Sequence, residues 1–201
     1  MEPFQTFAQP WWVNLLVFIP LIAYLRWRGK SLALSWPQLA KITVFAVAFG
    51  YVEAAVVVYL RAAIGLLPGY KGTLSDVARL SVQAYQQAQS VNELPPSLAT
   101  VELMREAATM FMLVAVALLA APRTRERWAI FLWAFAVWDI SYYGALWATV
   151  RWPFSLTNQD VLFLIPVPWL AQVWFPLLVS TLTLLGIVLA KASSQRSLRA
   201  K

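Results

Sequence analysis

One apolar stretch, Trp128–Val150, constrains this chain more than any other feature; it reads WAIFLWAFAVWDISYYGALWATV. Its 23 residues are long enough to cross a bilayer as a helix, yet the twelfth of them is an acid, Asp139. At a rise of about 1.5 Å per residue, Asp139 lies about 16 Å from Trp128, near the middle of a hydrocarbon core about 30 Å thick. A carboxylate at that depth costs about 2.5 kcal/mol or more unless a partner, a proton or a function compensates for it.

The whole chain has the composition of a membrane protein. Of its 201 residues, 61% are hydrophobic and only 12% are charged, whereas a soluble domain carries about 25% charged residues. The net charge of +7 does not indicate nucleic acid binding, because most basic residues flank apolar segments. We therefore predict an all-α transmembrane bundle, residues 1–201 forming one domain, with the lipid bilayer as its partner and no nucleic acid.

Two absent residue types restrict the chemistry. The chain has no cysteine and no histidine. Disulfides, thiol catalysis, His- or Cys-ligated metals and haem, and nucleophiles activated by histidine are therefore excluded. No cofactor is expected, and only Mg²⁺ or another hard cation held by carboxylates remains open.

Five apolar segments are predicted to cross the membrane as helices. Their approximate bounds are residues 11–27, 41–65, 98–121, 128–150 and 168–190. Ser35 and Pro37 are typical of a helix start, the serine as a cap and the proline in the first turn, so they are expected to begin the helix of the second span.

Two stretches are predicted to depart from regular spans. The connection 66–97 is long, and within it Ser75–Val91 has apolar residues at helical spacing, which predicts an amphipathic extracytoplasmic helix. The entry to the last span contains Pro166 and Pro168, and a proline pushes the residue before it towards extended conformations. We therefore predict a broken or re-entrant piece at Val161–Val167, followed by a full span from about Pro168.

The distribution of basic residues predicts the orientation. The first connector has four Lys or Arg residues, the turn PRTRER has three, and the tail Lys191–Lys201, which we expect to fray, has four. The segment before the first span has none, the long connection has two, and the loop after the fourth span has only Arg151. This asymmetry predicts an extracytoplasmic N-terminus and a cytoplasmic C-terminus.

The predicted topology brings scattered polar residues to one place. Glu53 and Asp139 each lie about eleven residues from the cytoplasmic ends of their spans, so they share a depth. On the third span, acids and an arginine recur at helical spacing and therefore lie on one face. The predicted outward-facing pocket is formed by Glu53, Arg61, Glu102, Arg105, Glu106, Asp139, Tyr142 and Tyr143.

Charge counting leaves the use of this pocket open. Five carboxylates and three guanidiniums lie in or beside the spans: Glu53, Glu102, Glu106, Asp139 and Asp160, and Arg61, Arg105 and Arg151. The excess of carboxylates over guanidiniums must be compensated by protons, solvent or a bound cation. Glu53, Glu106 and Asp139 are the candidate metal ligands. A salt bridge from Arg105 to Glu53 or Asp139 would instead neutralise a buried charge without any ligand.

Four motifs resemble those of a group of bacterial proteins. They read GYVEAAVVVYLR, VELMREAATM, FAVWDISYYGALW and DVLFLIPVPW, and they cover roughly residues 50–169. In order and spacing they are similar to a family of small, uncharacterised multi-pass bacterial membrane proteins with no assigned activity. The resemblance implies a multi-pass protein of the bacterial plasma (inner) membrane, and it implies neither a reaction nor a ligand.

Three hypotheses for the function remain. The first is a non-catalytic accessory or ligand-binding module, with other membrane subunits or a second copy as partners. The second is a membrane-embedded enzyme acting on a lipid-phosphate or prenyl substrate with Mg²⁺ held by carboxylates. The third is an ion or proton carrier that acts as an oligomer, with Glu53 and Asp139 as the relay. No HExxH, GxSxG or phosphate-binding glycine motif is present, so whether the protein is an enzyme stays open.

Overall fold

Apolar helices make up most of this computed structural model, which describes residues 7–28, 32–63 and 96–199. The long helices are α2 (Trp36–Ala63), α3 (Pro96–Ala120), α4 (Thr124–Val150) and α5 (Trp174–Arg199). All four contain a stretch long and apolar enough to cross a membrane. The predicted extracytoplasmic helix Ser75–Val91 and its connection lie outside the described residues, apart from the start of α3.

The first apolar segment is a helix of two kinds. A 3₁₀ helix covers Trp11–Phe18, and α1 continues it over Ile19–Trp27. Pro20 is at the start of α1, where the missing N–H of proline removes no α-helical hydrogen bond. Together the two helices span the residues 11–27 that the sequence analysis singled out.

The predicted helix start at Ser35 is confirmed. Its hydroxyl accepts a hydrogen bond of 3.2 Å from the backbone N–H of Gln38, and Pro37 lies in the first turn. The Gln38 side chain in turn donates to the carbonyl of Ala120 at the end of α3. The start of α2 is thereby joined to the end of α3.

The stretch that carries Asp139 lies at the centre of the bundle. α4 packs against α2, α3 and α5, while α1 packs against α5. Its membrane-spanning window is 50% buried, compared with 33%, 22% and 44% for the windows of α2, α3 and α5. At Gly50 the backbones of α2 and α4 touch, because an added Cβ would lie 2.7 Å from the carbonyl oxygen of Trp138.

The entry to the last span differs from the prediction. Strands β1 (Gln159–Phe163) and β2 (Trp169–Gln172) form an antiparallel hairpin, so α5 begins at Trp174 rather than near Pro168. Pro166 and Pro168 lie in the turn, where their missing N–H groups remove no bond from the strand pairing. The described part of the chain is therefore mostly helical with one small sheet.

This hairpin runs back alongside α4 into the bundle. Asp160 contacts Tyr143, whereas the ring of Phe163 stacks at 6.2 Å on Phe135, eight residues earlier on α4. Eight residues of helix correspond to about 12 Å. The broken piece predicted at Val161–Val167 thus consists of strand β1 and the turn of a hairpin, and it is partly buried as far as Ile165 and exposed at Pro166 and Val167.

The tail also differs from the prediction, because α5 continues regularly to Arg199. Lys191, expected to belong to a frayed tail, is 5% exposed, donates to the carbonyl oxygen of Leu34 and lies 5.1 Å from the ring centre of Trp36. Packing against the connector before α2 therefore extends the helix beyond the apolar run.

Candidate functional site

Arg105 occupies the centre of the polar cluster, with carboxylates on two sides. Its Nη1 donates to Oε2 of Glu53, and its Nε and Nη2 donate to Oε1 of Glu102 at 3.0 and 2.6 Å. Glu102 is three residues before Arg105 on α3, whereas Glu53 belongs to α2. Of the two acids proposed to pair with Arg105, Glu53 forms the salt bridge and Asp139 does not.

Glu53 is 5% exposed and both of its oxygens are engaged. The hydroxyl of Thr109 donates to Oε1 at 2.7 Å, while Arg105 occupies Oε2. Thr109 follows Arg105 by four residues and therefore lies on the same face of α3. Glu53 thus joins α2 to α3 through a charged donor and a neutral donor.

Glu106 contacts a different element. Its Oε2 accepts a hydrogen bond of 2.8 Å from the backbone N–H of Leu164, and the N–H of Ile165 also faces the carboxylate. Both residues are in the turn of the hairpin, where the strand pairing leaves N–H groups without a partner in the sheet. Glu106 therefore fastens the hairpin turn to α3.

Asp139 and Asp160 are both buried and each is bonded to a hydroxyl. Ser180 on α5 donates to Oδ2 of Asp139 at 2.7 Å, and Tyr143 on α4 donates to Oδ2 of Asp160 at 2.8 Å. The two carboxyl groups are close enough to influence each other electrostatically. Asp139 thus joins α4 to α5, and Asp160 joins the hairpin to α4.

Aromatic rings surround these carboxylates. Tyr142 packs edge-on against Tyr143 at 5.1 Å and stacks on Trp138 at 6.3 Å, and Phe163 lies between Trp138 and Trp169. The buried indole N–H groups of Trp138 and Trp169 have no hydrogen-bond acceptor in the described part of the chain. The region therefore offers aromatic ring faces and two indole N–H donors that have no acceptor among the described residues.

Among the described residues, one side of the cluster is partly exposed. Glu102, Arg105 and Tyr142 are partly exposed, while Glu53, Glu106 and Asp139 behind them are buried. Arg105 lies within electrostatic range of both Tyr142 and Glu106. Five of the eight predicted pocket residues therefore form one connected set, and Asp139 and Tyr143 adjoin it through Asp160 and Tyr142.

The remaining predicted residues are not brought together in this way. Arg61 belongs to α2, but its side chain lies outside the described part of the structure, so its membership of the set is based on sequence alone. Glu53, Glu106 and Asp139, the candidate metal ligands, have separate partners on α3, the hairpin and α5. Within residues 7–28, 32–63 and 96–199, no three acidic side chains form a group that could hold a metal ion.

Some polar residues were missed by the sequence analysis. Thr109 could have been found from its spacing to Arg105, whereas Ser180 is one of three hydroxyl residues in an apolar run and carries no such signal. Glu126, in the first turn of α4, is 3% exposed and accepts from the backbone N–H of Ala33 at 3.4 Å. With Lys191, it holds the connector before α2 at the opposite end of the bundle.

Comparison with known protein families, with curated protein sequences and with solved structures returned no match to this chain. The bacterial family and membrane implied by the sequence motifs therefore stay predictions. The function has to be inferred from the chemistry of the polar cluster.

Proposed function

We propose that this protein is a non-catalytic membrane module whose outward-facing acidic and aromatic cluster binds an organic ammonium ion. The observation that carries the proposal is the way Glu106 and Asp139 are held. Backbone N–H groups of the hairpin turn donate to Glu106 and the Ser180 hydroxyl donates to Asp139, and all of these donors are neutral. Arg105, which lies within electrostatic range of Glu106, already pairs with Glu53 and Glu102, so buried carboxylates exceed cations among the described residues and favour a further cation.

The balance of charge supports a cationic ligand. Four carboxylates of the described cluster, those of Glu53, Glu102, Glu106 and Asp139, accompany one described guanidinium, that of Arg105, which Glu53 and Glu102 already engage. The side chains of Glu102 and Tyr142 border the partly exposed side. A cation that enters from this side would first meet the partly exposed carboxylate of Glu102 and then the buried carboxylates of Glu106 and Asp139.

The aromatic surroundings favour an organic ammonium ion over a bare metal ion. Ring faces attract ammonium groups by about 0.5–2 kcal/mol each, and recognition of quaternary ammonium ions by aromatic cages is a known use of this attraction. Tyr143 donates to Asp160, and its ring packs against Tyr142, which in turn stacks on Trp138. The unused indole donors of Trp138 and Trp169 would suit a hydroxyl or carbonyl oxygen on the same ligand.

The metal-dependent enzyme is less well supported by the same residues. Mg²⁺ prefers octahedral oxygen ligands at about 2.0–2.1 Å, which requires carboxylates to converge on one point. Glu53, Glu106 and Asp139 have partners on three different elements instead. The proton-carrier hypothesis uses Glu53 and Asp139 as its relay. These two described side chains have separate hydrogen-bond partners, so their geometry does not favour a relay.

We further propose five spans in a bacterial plasma membrane, with the N-terminus outside. The segment 11–27 has eight 3₁₀ and nine α-helical residues, which at about 2.0 and 1.5 Å per residue reach about 30 Å. Just before it, Gln9 pairs with Leu170 beside the hairpin through two hydrogen bonds of 2.7 Å. At its other end, Arg26 lines the same groove as Arg125 at the start of α4. The Gln9 pairing at one end and the shared groove at the other support a segment 11–27 that extends along the full length of the bundle.

Calorimetric titration of the purified protein in lipid nanodiscs tests ammonium binding. The probes are choline, ethanolamine and spermidine, and dimethylbutanol serves as the uncharged isostere of choline. We expect at least one ammonium ion to bind and dimethylbutanol not to bind. Asp139→Asn and Glu106→Gln should each weaken binding about tenfold or more, because each removes a buried charge that faces the ligand.

Glu126→Gln is the matched control, because it neutralises a buried acid at the opposite end of the bundle. It should leave ammonium binding unchanged. The proposal is wrong if none of the three ammonium ions binds better than dimethylbutanol. It is also wrong if binding survives in both Asp139→Asn and Glu106→Gln while these variants keep the wild-type unfolding temperature.

A further inference from the structure

A groove between α1 and α4 lies at the end of the bundle that is remote from the hairpin. Its volume is about 550 Å³, within the roughly 300–1,000 Å³ of known small-molecule sites. Its polar end is formed by Arg26, Thr124 and Arg125, and its apolar part includes Ile19, Ile22 and Leu132. The groove therefore has a cationic end and a hydrocarbon-like end.

The two ends are arranged along the helix axes. Ile19 precedes Arg26 by seven residues on α1, and Leu132 follows Arg125 by seven residues on α4. Seven residues correspond to about 10 Å of helix. The apolar part thus extends about 10 Å from the arginines towards the middle of the bundle on both walls, the direction that an acyl chain takes below its headgroup.

The polar end also presents a helix start. Residue Arg123 precedes α4 without any side-chain hydrogen bond that caps the helix. The first backbone N–H groups of a helix have no partner within it, and its dipole favours a negative charge there. Arg26, from α1, supplies a charge from a second element, so an anion in the groove would be contacted from both walls.

We propose that this groove binds an anionic phospholipid, with its phosphate between Arg26 and Arg125 and an acyl chain along Ile19, Ile22 and Leu132. Basic pockets between membrane-spanning helices recognise such headgroups, and bidentate arginine contacts suit phosphate oxygens. Trp128, 58% exposed beside the polar end, has the position of an interfacial anchor. The groove shares no residue with the acidic and aromatic cluster, so the inference is independent of the ammonium proposal.

Native mass spectrometry of the delipidated full chain tests this. The protein is mixed with equal amounts of phosphatidylglycerol and phosphatidylcholine that carry the same acyl chains. We expect bound phosphatidylglycerol to exceed bound phosphatidylcholine about fivefold or more. The double variant Arg26→Gln/Arg125→Gln should remove this preference, and Ile22→Trp, which fills the groove with a larger side chain, should weaken binding of phosphatidylglycerol without any change of charge.

The matched control is Arg28→Gln/Arg123→Gln, which removes two neighbouring exposed cations that do not line the groove. It should keep the preference for phosphatidylglycerol. Equal binding of the two lipids to the wild-type protein overturns the proposal. An equal loss of preference in the control and in Arg26→Gln/Arg125→Gln also overturns it, because the preference would then reflect the general surface charge.

Discussion

Arg105 is the residue on which the polar cluster depends most. Its guanidinium is shared between Glu53 on α2 and Glu102 on its own helix. Glu53 is buried, and the only other donor to its carboxylate in the described structure is the Thr109 hydroxyl. Removal of the guanidinium would therefore leave a buried carboxylate without its counter-charge.

We predict that Arg105→Ala destabilises the protein by about 3 kcal/mol or more, the usual cost of leaving one partner of a buried pair alone. The measurement is reversible unfolding by sodium dodecyl sulfate in mixed micelles. Arg151→Ala is the control: its guanidinium lies 4.7 Å from the ring centre of Trp147, an exposed contact that contributes about 0.5–1 kcal/mol. A stability of Arg105→Ala equal to that of Arg151→Ala would contradict the neutralising role of Arg105.

The other buried acids of the cluster each join two elements. Glu106 holds the hairpin turn to α3, Asp160 holds the hairpin to α4, and Asp139 holds α5 to α4. Because a single hydrogen bond to a charged group contributes about 1.5–3 kcal/mol, these contacts determine how the hairpin and α5 dock. In the ammonium proposal, the same carboxylates also supply the charge that attracts the ligand.

At the scale of the elements, α2 and α4 approach each other closely at Gly50. A Cβ added to Gly50 would lie 2.7 Å from the carbonyl oxygen of Trp138 and 2.9 Å from Cβ of Ser141. Small residues permit such close approach between membrane helices, which associate chiefly through van der Waals packing and hydrogen bonds. α2 and α4 therefore depend on the absence of a side chain at one position.

We predict that Gly50→Ala destabilises the protein by about 1–3 kcal/mol, because the backbones of α2 and α4 must move apart. Gly144→Ala is a control on α4 itself, since an added Cβ there has no neighbour within 4 Å. The control should be neutral or stabilising by up to about 1 kcal/mol, the difference in helix propensity. Thermal unfolding of both variants in one detergent gives the comparison. Equal unfolding temperatures of Gly50→Ala and Gly144→Ala would contradict the prediction, because α2 and α4 would then accommodate the added methyl group without loss of stability.

At the scale of the whole molecule, the two ends of the bundle are built differently. One end carries the hairpin and the acidic cluster, whereas the other carries the basic turn before α4, the Lys191 contact and the groove of the lipid proposal. Basic residues concentrate on the cytoplasmic side of membrane proteins. This asymmetry is the basis of the proposed orientation.

The orientation and the fifth span can be tested by cysteine labelling, since the native chain has no cysteine that would react. Phe7→Cys, Leu156→Cys and Thr124→Cys each place a thiol at an exposed position. In right-side-out membrane vesicles, we predict that an impermeant maleimide labels Phe7→Cys and Leu156→Cys, and labels Thr124→Cys only after permeabilisation. Labelling of Leu156→Cys but not of Phe7→Cys in sealed vesicles would mean that the segment 11–27 does not cross.

Several features of the fold could be predicted from the sequence because they depend on local pattern. The helical, membrane-type architecture follows from long apolar runs, since a chain in lipid must satisfy its backbone groups internally. The helix start at Ser35 follows from the residue types, and the pairing of Arg105 with a carboxylate follows from its position in an apolar helix. The departure from regular helix near Pro166 was also predicted, whereas the antiparallel hairpin found there was not.

The tertiary structure alone decided which groups meet. Glu53 rather than Asp139 pairs with Arg105, because α2 and α3 bring those side chains together while α5 supplies Ser180 to Asp139. Antiparallel strand pairing turned the proline-rich entry into a hairpin, and packing against the connector buried Lys191. Hydropathy and proline positions are properties of neighbouring residues, whereas these contacts join residues far apart in the chain. The sequence by itself therefore determined that Asp139 lies deep in an apolar helix, and only the packing of the other elements determined what Asp139 faces.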